Sequence, residues 1–229
     1  MAKMRSSFIQ RHMEAVTPTQ LKTPITVIGA GAIGSFVVLS LAKLGFNNIT
    51  VWDFDEVSEE NIGNQFYRVS DIGKPKVVAL SEMINDFTGV SIVAYNEKLT
   101  SEHTLIDTIV ISAVDSMEVR KLIYQNCSPN TILLDPRMAA ETARFETCYM
   151  QDAEDRKSYE RTLYSDAKAV AERCTYKTTM YTVLLMAGTL SKMVLDYTKV
   201  THHPRRILSA DWDIKNNQFT GFTREGGPL

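Results

Sequence analysis

Three glycines and an aspartate have the residue types and the spacing of a phosphate-binding turn. Gly29, Gly31 and Gly34 form a G-x-G-x-x-G pattern directly after the apolar run Ile25–Ile28. The first glycine would permit a tight turn, the second would let the backbone approach a phosphate, and the third would let a helix pack closely on the strand. Asp53 follows about 20 residues further on, where an acid can accept hydrogen bonds from ribose hydroxyls. The pattern predicts an adenine nucleotide site; the alternatives are a turn that only packs and an aspartate that only caps a helix or lies on the surface.

Alternating strands and helices must position these residues. The run before the glycines, the helical segment after them and the next apolar run have the order of a parallel βαβ unit. Strands are predicted at residues 25–28, 49–52, 91–95, 108–113 and 131–134, and helices at 35–44, 76–87 and 119–127. Residues 56–75 are polar and rich in turn-forming residues, which predicts an irregular loop with one helical turn.

The pattern changes after Asp135-Pro136-Arg137, and a second part of the chain is predicted there. It would contain an antiparallel strand at 145–150, a charged loop and helix over 151–173, an apolar helix at 178–197 and a hairpin at 207–212 and 218–222. The expected fold class is α/β, with a Rossmann-like, mainly parallel sheet flanked by helices and antiparallel strands in the C-terminal part. We expect one domain over residues 1–229, with nucleotide binding at about 20–135 and substrate and dimer contacts at about 136–229.

The composition excludes several classes of protein. The 229 residues include 25 Lys+Arg and 27 Asp+Glu, and a net charge of -2 removes the simplest electrostatic argument for a nucleic-acid binder. Three widely spaced cysteines without a C-x-x-C pair do not resemble a disulfide framework or an ordinary zinc site. The longest apolar stretch, 180–190, is shorter than the roughly 20 residues that span a bilayer, and no apolar segment follows the basic N-terminus. We expect a cytoplasmic protein that uses neither nucleic acid nor membrane as a partner.

Four further motifs narrow the interpretation. They are, in chain order, D-F-D at 53–55, N-x-x-x-Q-F at 61–66, G-x-P-K at 73–76 and an aspartate at 115. In this combination the chain resembles the ThiF/MoeB/HesA family, which shares its adenylation domain with ubiquitin-activating enzymes. The resemblance covers roughly residues 20–200 and is strongest over 25–120.

The resemblance implies an adenylation reaction. Members of the family bind ATP and Mg²⁺, adenylate the C-terminal glycine carboxylate of a ubiquitin-like or sulfur-carrier protein, and release pyrophosphate. A carboxylate then attacks the α-phosphate while negative charge moves onto the leaving pyrophosphate. Such a step needs cations and positioning more than an acid and base pair.

The resemblance also implies roles for individual residues. Asp53 would hold the ribose, and Asp115 would hold Mg²⁺, as suits a hard carboxylate. The implied cofactor-binding residues are Gly29, Gly31, Ala32, Gly34, Asp53, Asp55, Asn61, Asn64, Gln65 and Lys76, and the implied catalytic residues are Arg68, Lys76, Asp115 and Cys174. Lys76 would stabilise charge on the phosphates, and Arg68 would contact a phosphate or brace the loop. The alternatives are a solvated lysine at a helix start for Lys76 and a helix N-cap for Asp115.

The chain departs from the family pattern at several places. Asn64 stands where many members have an arginine, and the absent C-x-x-C pairs imply a zinc-free subfamily. Residues 137–175 fit the family poorly, so the identity of the carrier stays open. A homodimer is implied, in which an N-terminal arginine reaches the partner's site; Arg11 and Arg5 are the candidates, and a surface arginine is the alternative.

Cys174 and two other function classes remain open at this stage. Arg173 and Lys177 flank Cys174 and could lower the pKa of its thiol, and thioester-forming relatives have a functional cysteine in a comparable place. A small half-buried residue at a helix start is the alternative. The chain could also be an NAD-dependent oxidoreductase, for which no hydride-transfer constellation is found. It could also be a nucleotide-binding regulatory module that has lost catalysis.

Overall fold

The computed structural model describes residues 16–139, 141–164, 179–199 and 207–223. In these ranges the chain forms one sheet of eight strands together with five α-helices. In chain order they are β1 (Ile25–Ile28), α1 (Ala32–Leu44), β2 (Ile49–Trp52), α2 (Lys76–Thr88), β3 (Val93–Tyr95), β4 (Ile109–Ser112), α3 (Met117–Asn126), β5 (Ile132–Ala139), β6 (Thr142–Tyr149), α4 (Ala153–Glu160), α5 (Met180–Tyr197), β7 (Ile207–Asp213) and β8 (Gln218–Thr223).

The strand order places the predicted nucleotide-binding motifs at the carboxyl ends of neighbouring parallel strands. The order is β3-β2-β1-β4-β5-β6-β7-β8, and neighbours are parallel from β3 to β5 and antiparallel from β5 to β8. The predicted α/β class with a C-terminal antiparallel part is therefore confirmed. The chain winds in opposite directions from β1 and β4, and a doubly wound sheet binds ligands at the carboxyl ends of the strands at such a switch point.

Hydrophobic residues on both faces of the parallel strands hold the sheet in place. All four residues of β1 and of β4 are buried, as expected for strands covered by helices on both sides. Successive side chains point to opposite faces, so Ile109 and Ile111 join one hydrophobic cluster while Val110 joins a second. Strong burial at β1 and β4 therefore fixes where the loops that follow them begin.

The structure corrects several predicted boundaries. Strand β5 continues through Pro136 to Ala139, whereas the sequence suggested a break at Asp135-Pro136-Arg137. Strand β4 pairs only with Ile132–Leu134 of β5, so beyond Leu134 one edge of β5 lacks that neighbour and a residue without an N–H is tolerated. Helix α1 begins three residues earlier than predicted, directly after the glycine turn.

The remaining elements agree with the predicted order. The 56–75 loop contains two short 3-10 turns instead of one, and the hairpin of β7 and β8 turns through Asn217, whose φ is 53°. Among the described residues, no helix is long and apolar enough to cross a membrane.

Candidate nucleotide site

The glycine turn is held by close backbone contacts at its two ends. Gly29 has a φ of +97°, a conformation that side chains disfavour, and an added Cβ there would collide with the carbonyl oxygen of Ala113. An added Cβ at Gly34 would overlap the carbonyl oxygen of Gly29 and lie 3.0 Å from its carbon. Beside Gly31 an added Cβ would meet no atom within 4 Å. The turn is therefore tightly packed at Gly29 and Gly34 and open beside Gly31.

The N-terminus of α1 faces this opening. The first helical hydrogen bond runs from the Ser35 N–H to the Gly31 carbonyl (3.0 Å), so the N–H groups of Ala32 to Gly34 precede it. Such N–H groups and the positive end of the helix dipole favour an anion. The first turn of α1 carries no acidic residue that would already neutralise this end.

Asp53 lies at the carboxyl end of β2 and is bonded to the turn itself. Its Oδ2 accepts a hydrogen bond from the Ala30 N–H (2.6 Å), and its Oδ1 accepts one from the Asp55 N–H (2.8 Å). Burial raises the pKa of Asp53, while these two bonds and nearby Lys76 act in the opposite direction. Each carboxylate oxygen has lone pairs left for a ribose hydroxyl. The position of Asp53 agrees with the ribose role that the sequence suggested.

Tyr67 supports the same turn and was missed from the sequence. Its buried hydroxyl donates to the Ala30 carbonyl (2.6 Å), and burial raises the pKa of Tyr67 so that it remains a neutral donor. Ala30 is thus held at its N–H by Asp53 and at its carbonyl by Tyr67. Tyr67 directly follows the N-x-x-x-Q-F motif in a polar loop, but its partner lies 37 residues away and no local spacing connects the two.

The loop that contains the N-x-x-x-Q-F motif holds two half-buried amide side chains whose oxygen atoms are buried. Asn64 Oδ1 and Gln65 Oε1 are buried and have no hydrogen-bond partner in the described part of the chain. The loop is tied to α1 because the Phe66 N–H donates to Ser35 Oγ (3.0 Å). Buried polar atoms are normally paired, so unpaired amides suggest a ligand that the protein does not supply. Rotation of an amide presents N–H donors in place of the oxygen, which suits a phosphate or a ribose.

Asn61 is partly committed to the structure of its own loop. Its Oδ1 accepts a hydrogen bond from the Ser58 N–H (3.0 Å) at the start of a 3-10 turn. The Nδ2 donors lie at the other end of the same amide group. Asn61 can therefore hold the loop through its oxygen and still offer N–H groups to a phosphate.

Lys76 is a buried cation beside Asp53. It is the first residue of α2, its side chain is only 9% exposed, and its Nζ lies 2.9 Å from Asp55 Oδ2. The backbone repeats the link, since the Lys76 N–H donates to the Asp55 carbonyl (2.9 Å). The solvated lysine considered from the sequence is therefore wrong. Asp55 acts here by holding the lysine in place.

Asp115 follows β4 on the other side of the switch point. It is exposed, and the cap of α3 is the neighbouring Ser116, whose Oγ accepts from the Val119 N–H (3.4 Å). The N-cap alternative for Asp115 is therefore wrong. No cluster of three or more His, Cys, Asp or Glu side chains that could hold a metal occurs within the described ranges. A single carboxylate fits Mg²⁺ that is bound mainly by phosphate oxygens and water, which is its usual preference.

Arg68 is bound to an acidic cluster on and before α2. Its Nε lies 2.9 Å from Asp71 Oδ2, and its other nitrogens lie 3.6 Å from Glu82 and from Asp86. It also lines an open groove of about 790 Å³ with Lys74, Glu82 and Asp86. Of the two roles suggested by the sequence, these contacts correspond to the brace.

The buried Asp71 makes this brace dependent on pH. Burial opposes the charge, but hydrogen bonds from Arg68 and Lys74 prevail and lower the pKa of Asp71 below its usual range. A carboxyl with a lowered pKa stabilises the fold above its unfolded value of about 3.9, and this contribution is lost as the pH falls through the folded value. Asp71→Asn should therefore lower the free energy of unfolding by about 1–3 kcal/mol at pH 7 and by less below pH 4.

Urea unfolding at pH 7 and at pH 3.5 measures this difference. Asp86→Asn is the control, because the Asp86 side chain is 67% exposed and contacts Arg68 only at 3.6 Å. We expect a change within about 0.5 kcal/mol for the control. An equal loss of stability for Asp71→Asn at both pH values would contradict the assignment.

The structure describes two of the three cysteines and neither of the two N-terminal arginines considered above. Cys127 and Cys148 are free thiols in the described part, and burial raises the pKa of each to about 12, which makes them unreactive. Cys174, Arg5 and Arg11 lie outside the described residues, so the roles considered for them stay predictions.

Comparison with known proteins agrees with this geometry. A family model described as the ThiF family matches residues 10–224. The chain belongs to the ThiF family. The resemblance suggested by the D-F-D, N-x-x-x-Q-F and G-x-P-K motifs is thereby confirmed.

Curated relatives within the ThiF family match part of this chain. The NEDD8-activating enzyme E1 catalytic subunit of Arabidopsis thaliana is 36% identical over 104 residues, which are 43% of this chain and 23% of that protein. Adenylyltransferase and sulfurtransferase MOCS3 of Anopheles gambiae is 27% identical over 142 residues, 56% of this chain and 32% of that protein. The tRNA threonylcarbamoyladenosine dehydratase of Haemophilus influenzae is 30% identical over 115 residues, which are 47% of this chain and 44% of that protein. The chain thus spans less than half the length of these relatives.

Solved structures share the fold at low sequence identity. E. coli MccB solved with ATP superposes with a TM-score of 0.72 at 13% identity, covering 100% of this chain and 73% of that one. PaaA superposes with a TM-score of 0.65 at 16% identity, covering 89% and 74%. At these identities the likeness supports the fold alone.

Proposed function

We propose that this chain is an ATP-dependent adenylyltransferase that activates the C-terminal glycine carboxylate of a ubiquitin-like or sulfur-carrier protein. The observation that carries the proposal is the buried Lys76 ammonium, held by Asp55 beside Asp53. A module that only binds a nucleotide has less need of a buried cation at this place. Membership of the ThiF family, whose relatives include a NEDD8-activating subunit and an adenylyltransferase, supports the same reaction class.

In the proposed reaction the phosphates lie against the glycine turn and the first N–H groups of α1. Asp53 accepts from the ribose, and the amides of Asn64 and Gln65 find their missing partners on the nucleotide. Asp115 would hold Mg²⁺, which would neutralise charge on the phosphate oxygens. Asp115 is suited to hold this metal ion, because it is exposed at the switch point.

The chemical step transfers AMP to the carrier. A carboxylate oxygen of the terminal glycine bonds to the α-phosphorus, and the bond from that phosphorus to the bridging oxygen breaks. Pyrophosphate leaves with the bonding electrons, and an acyl adenylate remains. Lys76 stabilises the negative charge that grows on the phosphates, which is electrostatic catalysis by a fixed cation.

The assembly, the location and the cofactors are further parts of the proposal. From the family resemblance we propose a homodimer in which Arg5 or Arg11 reaches the partner's site, and from the composition we propose a cytoplasmic location. We propose Mg²⁺ and ATP as cofactors without zinc. Each of these stays a prediction.

Exchange of labelled pyrophosphate into ATP tests the proposed reaction. The acceptors are small proteins that end in glycine, each compared with the same protein carrying a C-terminal amide. We expect exchange with the free carboxylate and none with the amide, because only the carboxylate can attack the α-phosphate. If no free carboxylate supports exchange while Mg·ATP binds, carrier activation is wrong, and the nucleotide-binding module suggested by Asn64 is favoured.

A further inference from the structure

A largely buried network of two arginines, a carboxylate and a tyrosine hydroxyl lies next to the backbone that precedes Asp115. It contains Arg120 of α3, Asp135 and Arg137 of β5, and Tyr159 of α4. Arg120 is 5% exposed and Asp135 is 1% exposed. The proposed reaction uses none of these residues. Burying charge is costly unless each charged group is paired, and here Asp135 pairs with both arginines.

Arg120 reaches back from the first turn of α3 to the end of β4. Its terminal nitrogens donate to the carbonyls of Ser112 (3.3 Å) and of Val114, and to that of Pro136 (3.2 Å). The carbonyls of Ser112, the last residue of β4, and of Val114 flank Ala113, and Val114 is the residue before Asp115. One guanidinium thus holds the backbone on the N-terminal side of Asp115, while Ser116 caps α3 on the other side.

The same backbone also forms the rear of the glycine turn. The Ala113 N–H donates to the Ile28 carbonyl (2.8 Å), and the Ala113 carbonyl lies against Gly29. A shift of this segment would therefore move Asp115 relative to the turn. Arg120 therefore contacts the segment that joins Asp115 to the rear of the glycine turn.

Asp135 keeps the arginine in place. Its Oδ1 accepts from Arg120, and its Oδ2 accepts from Arg137 (2.8 Å) and from the Tyr159 hydroxyl (2.9 Å). Arg137 in turn donates to the carbonyl and the hydroxyl of Thr162 (2.9 and 2.8 Å). Asp135 is thus the anion that keeps the Arg120 guanidinium beside the carbonyls of Ser112 and Val114.

We propose that Arg120 is a positioning residue that presets the Asp115 carboxylate for the Mg²⁺ of Mg·ATP. This inference rests on the proposed function, since it needs a nucleotide and a metal at the switch point. Groups behind a metal ligand commonly change metal affinity by about ten- to a hundredfold when they are replaced. Arg120→Lys keeps the charge but loses the fork that reaches several carbonyls at once.

Calorimetric titration of ATP in Mg²⁺ and in EDTA tests the inference. The ratio of the two affinities measures the contribution of the metal, independently of catalysis. We expect Arg120→Lys to lower this ratio by about ten- to a hundredfold and to leave the affinity in EDTA unchanged. Asp115→Asn should lower it at least as much. Arg144→Lys is the matched control, because Arg144 forms an exposed pair with Asp211 (2.6 Å) and should leave the ratio unchanged.

A second variant keeps the test sharp if Arg120→Lys does not fold. Arg120→Gln removes the charge but leaves Asp135 paired with Arg137 and Tyr159, so no buried charge is left alone. It should also lower the ratio of the ATP affinity in Mg²⁺ to the ATP affinity in EDTA.

The outcomes separate the inference from the proposed function. If the wild-type protein shows no Mg²⁺ effect on ATP affinity, the proposed metal site is wrong and the inference falls with it. If Asp115→Asn removes the effect but Arg120→Lys behaves like Arg144→Lys, only the inference is overturned. Equal loss of affinity with and without Mg²⁺ in the Arg120 variants would also overturn it, because that result indicates a purely structural role.

Discussion

Gly34→Ala should lower the free energy of unfolding by about 3 kcal/mol and abolish ATP binding. The new Cβ would overlap the carbonyl oxygen of Gly29, which is backbone and cannot rotate away. Helix α1 would have to move off β1, and the turn would lose its shape. The gain of about 1 kcal/mol that alanine brings inside a helix is smaller than this cost. Urea unfolding and ATP titration measure the two effects.

Gly188→Ala in α5 is the matched control for this substitution. An added Cβ at Gly188 meets nothing within 4 Å, so only the helix propensity changes. We expect the control to raise stability by about 0.5–1 kcal/mol and to leave ATP binding unchanged. Wild-type stability and ATP affinity in Gly34→Ala would show that the close contact with Gly29 does not matter.

Lys76→Ala should reduce pyrophosphate exchange by about 100- to 1000-fold, the effect of losing one preorganised electrostatic group. The ammonium is fixed by Asp55, so it is in place before the charge develops on the phosphates. The fold should survive, because Asp55 is 51% exposed and its carboxylate stays hydrated without the lysine. Circular dichroism and urea unfolding check this, and exchange with a glycine-terminated acceptor measures the activity.

Lys74→Ala provides the comparison for Lys76. Lys74 lies two residues earlier, and its Nζ pairs with Glu82 of α2 (2.7 Å). The Lys74 side chain is 40% exposed. We expect its exchange rate to match that of the wild-type protein. Full activity in Lys76→Ala would remove Lys76 from the catalytic machinery.

The strands and helices that carry the candidate site and depend on local sequence were predicted well. The strand, glycine turn and helix around Gly29 and Gly34 are contiguous, and the end of β2 at Asp53 follows from the same alternation of apolar and polar residues. Local patterns carry such elements because strand and helix periodicities are read over a few residues. The family motifs added Asn64, Gln65, Lys76 and Asp115.

The parts that depend on distant contacts were not predicted. Tyr67 bonds to Ala30 across 37 residues, and Arg120 bonds to Asp135 across 15, and no spacing rule connects them. Strand β5 passes through Pro136 because its neighbour β4 is shorter, which only the paired sheet reveals. The brace formed by Arg68 also depended on its neighbours Asp71, Glu82 and Asp86, which the sequence did not connect.

Thermal unfolding with Mg·ATP, NAD and NADP tests the central claim most directly. A ligand at about 100 times its dissociation constant adds roughly 2.7 kcal/mol of stability, which shifts the midpoint clearly. We expect a higher midpoint with Mg·ATP, a smaller shift in Asp115→Ala, and no shift with NAD or NADP. A shift with NAD alone would contradict the account and indicate a Rossmann oxidoreductase.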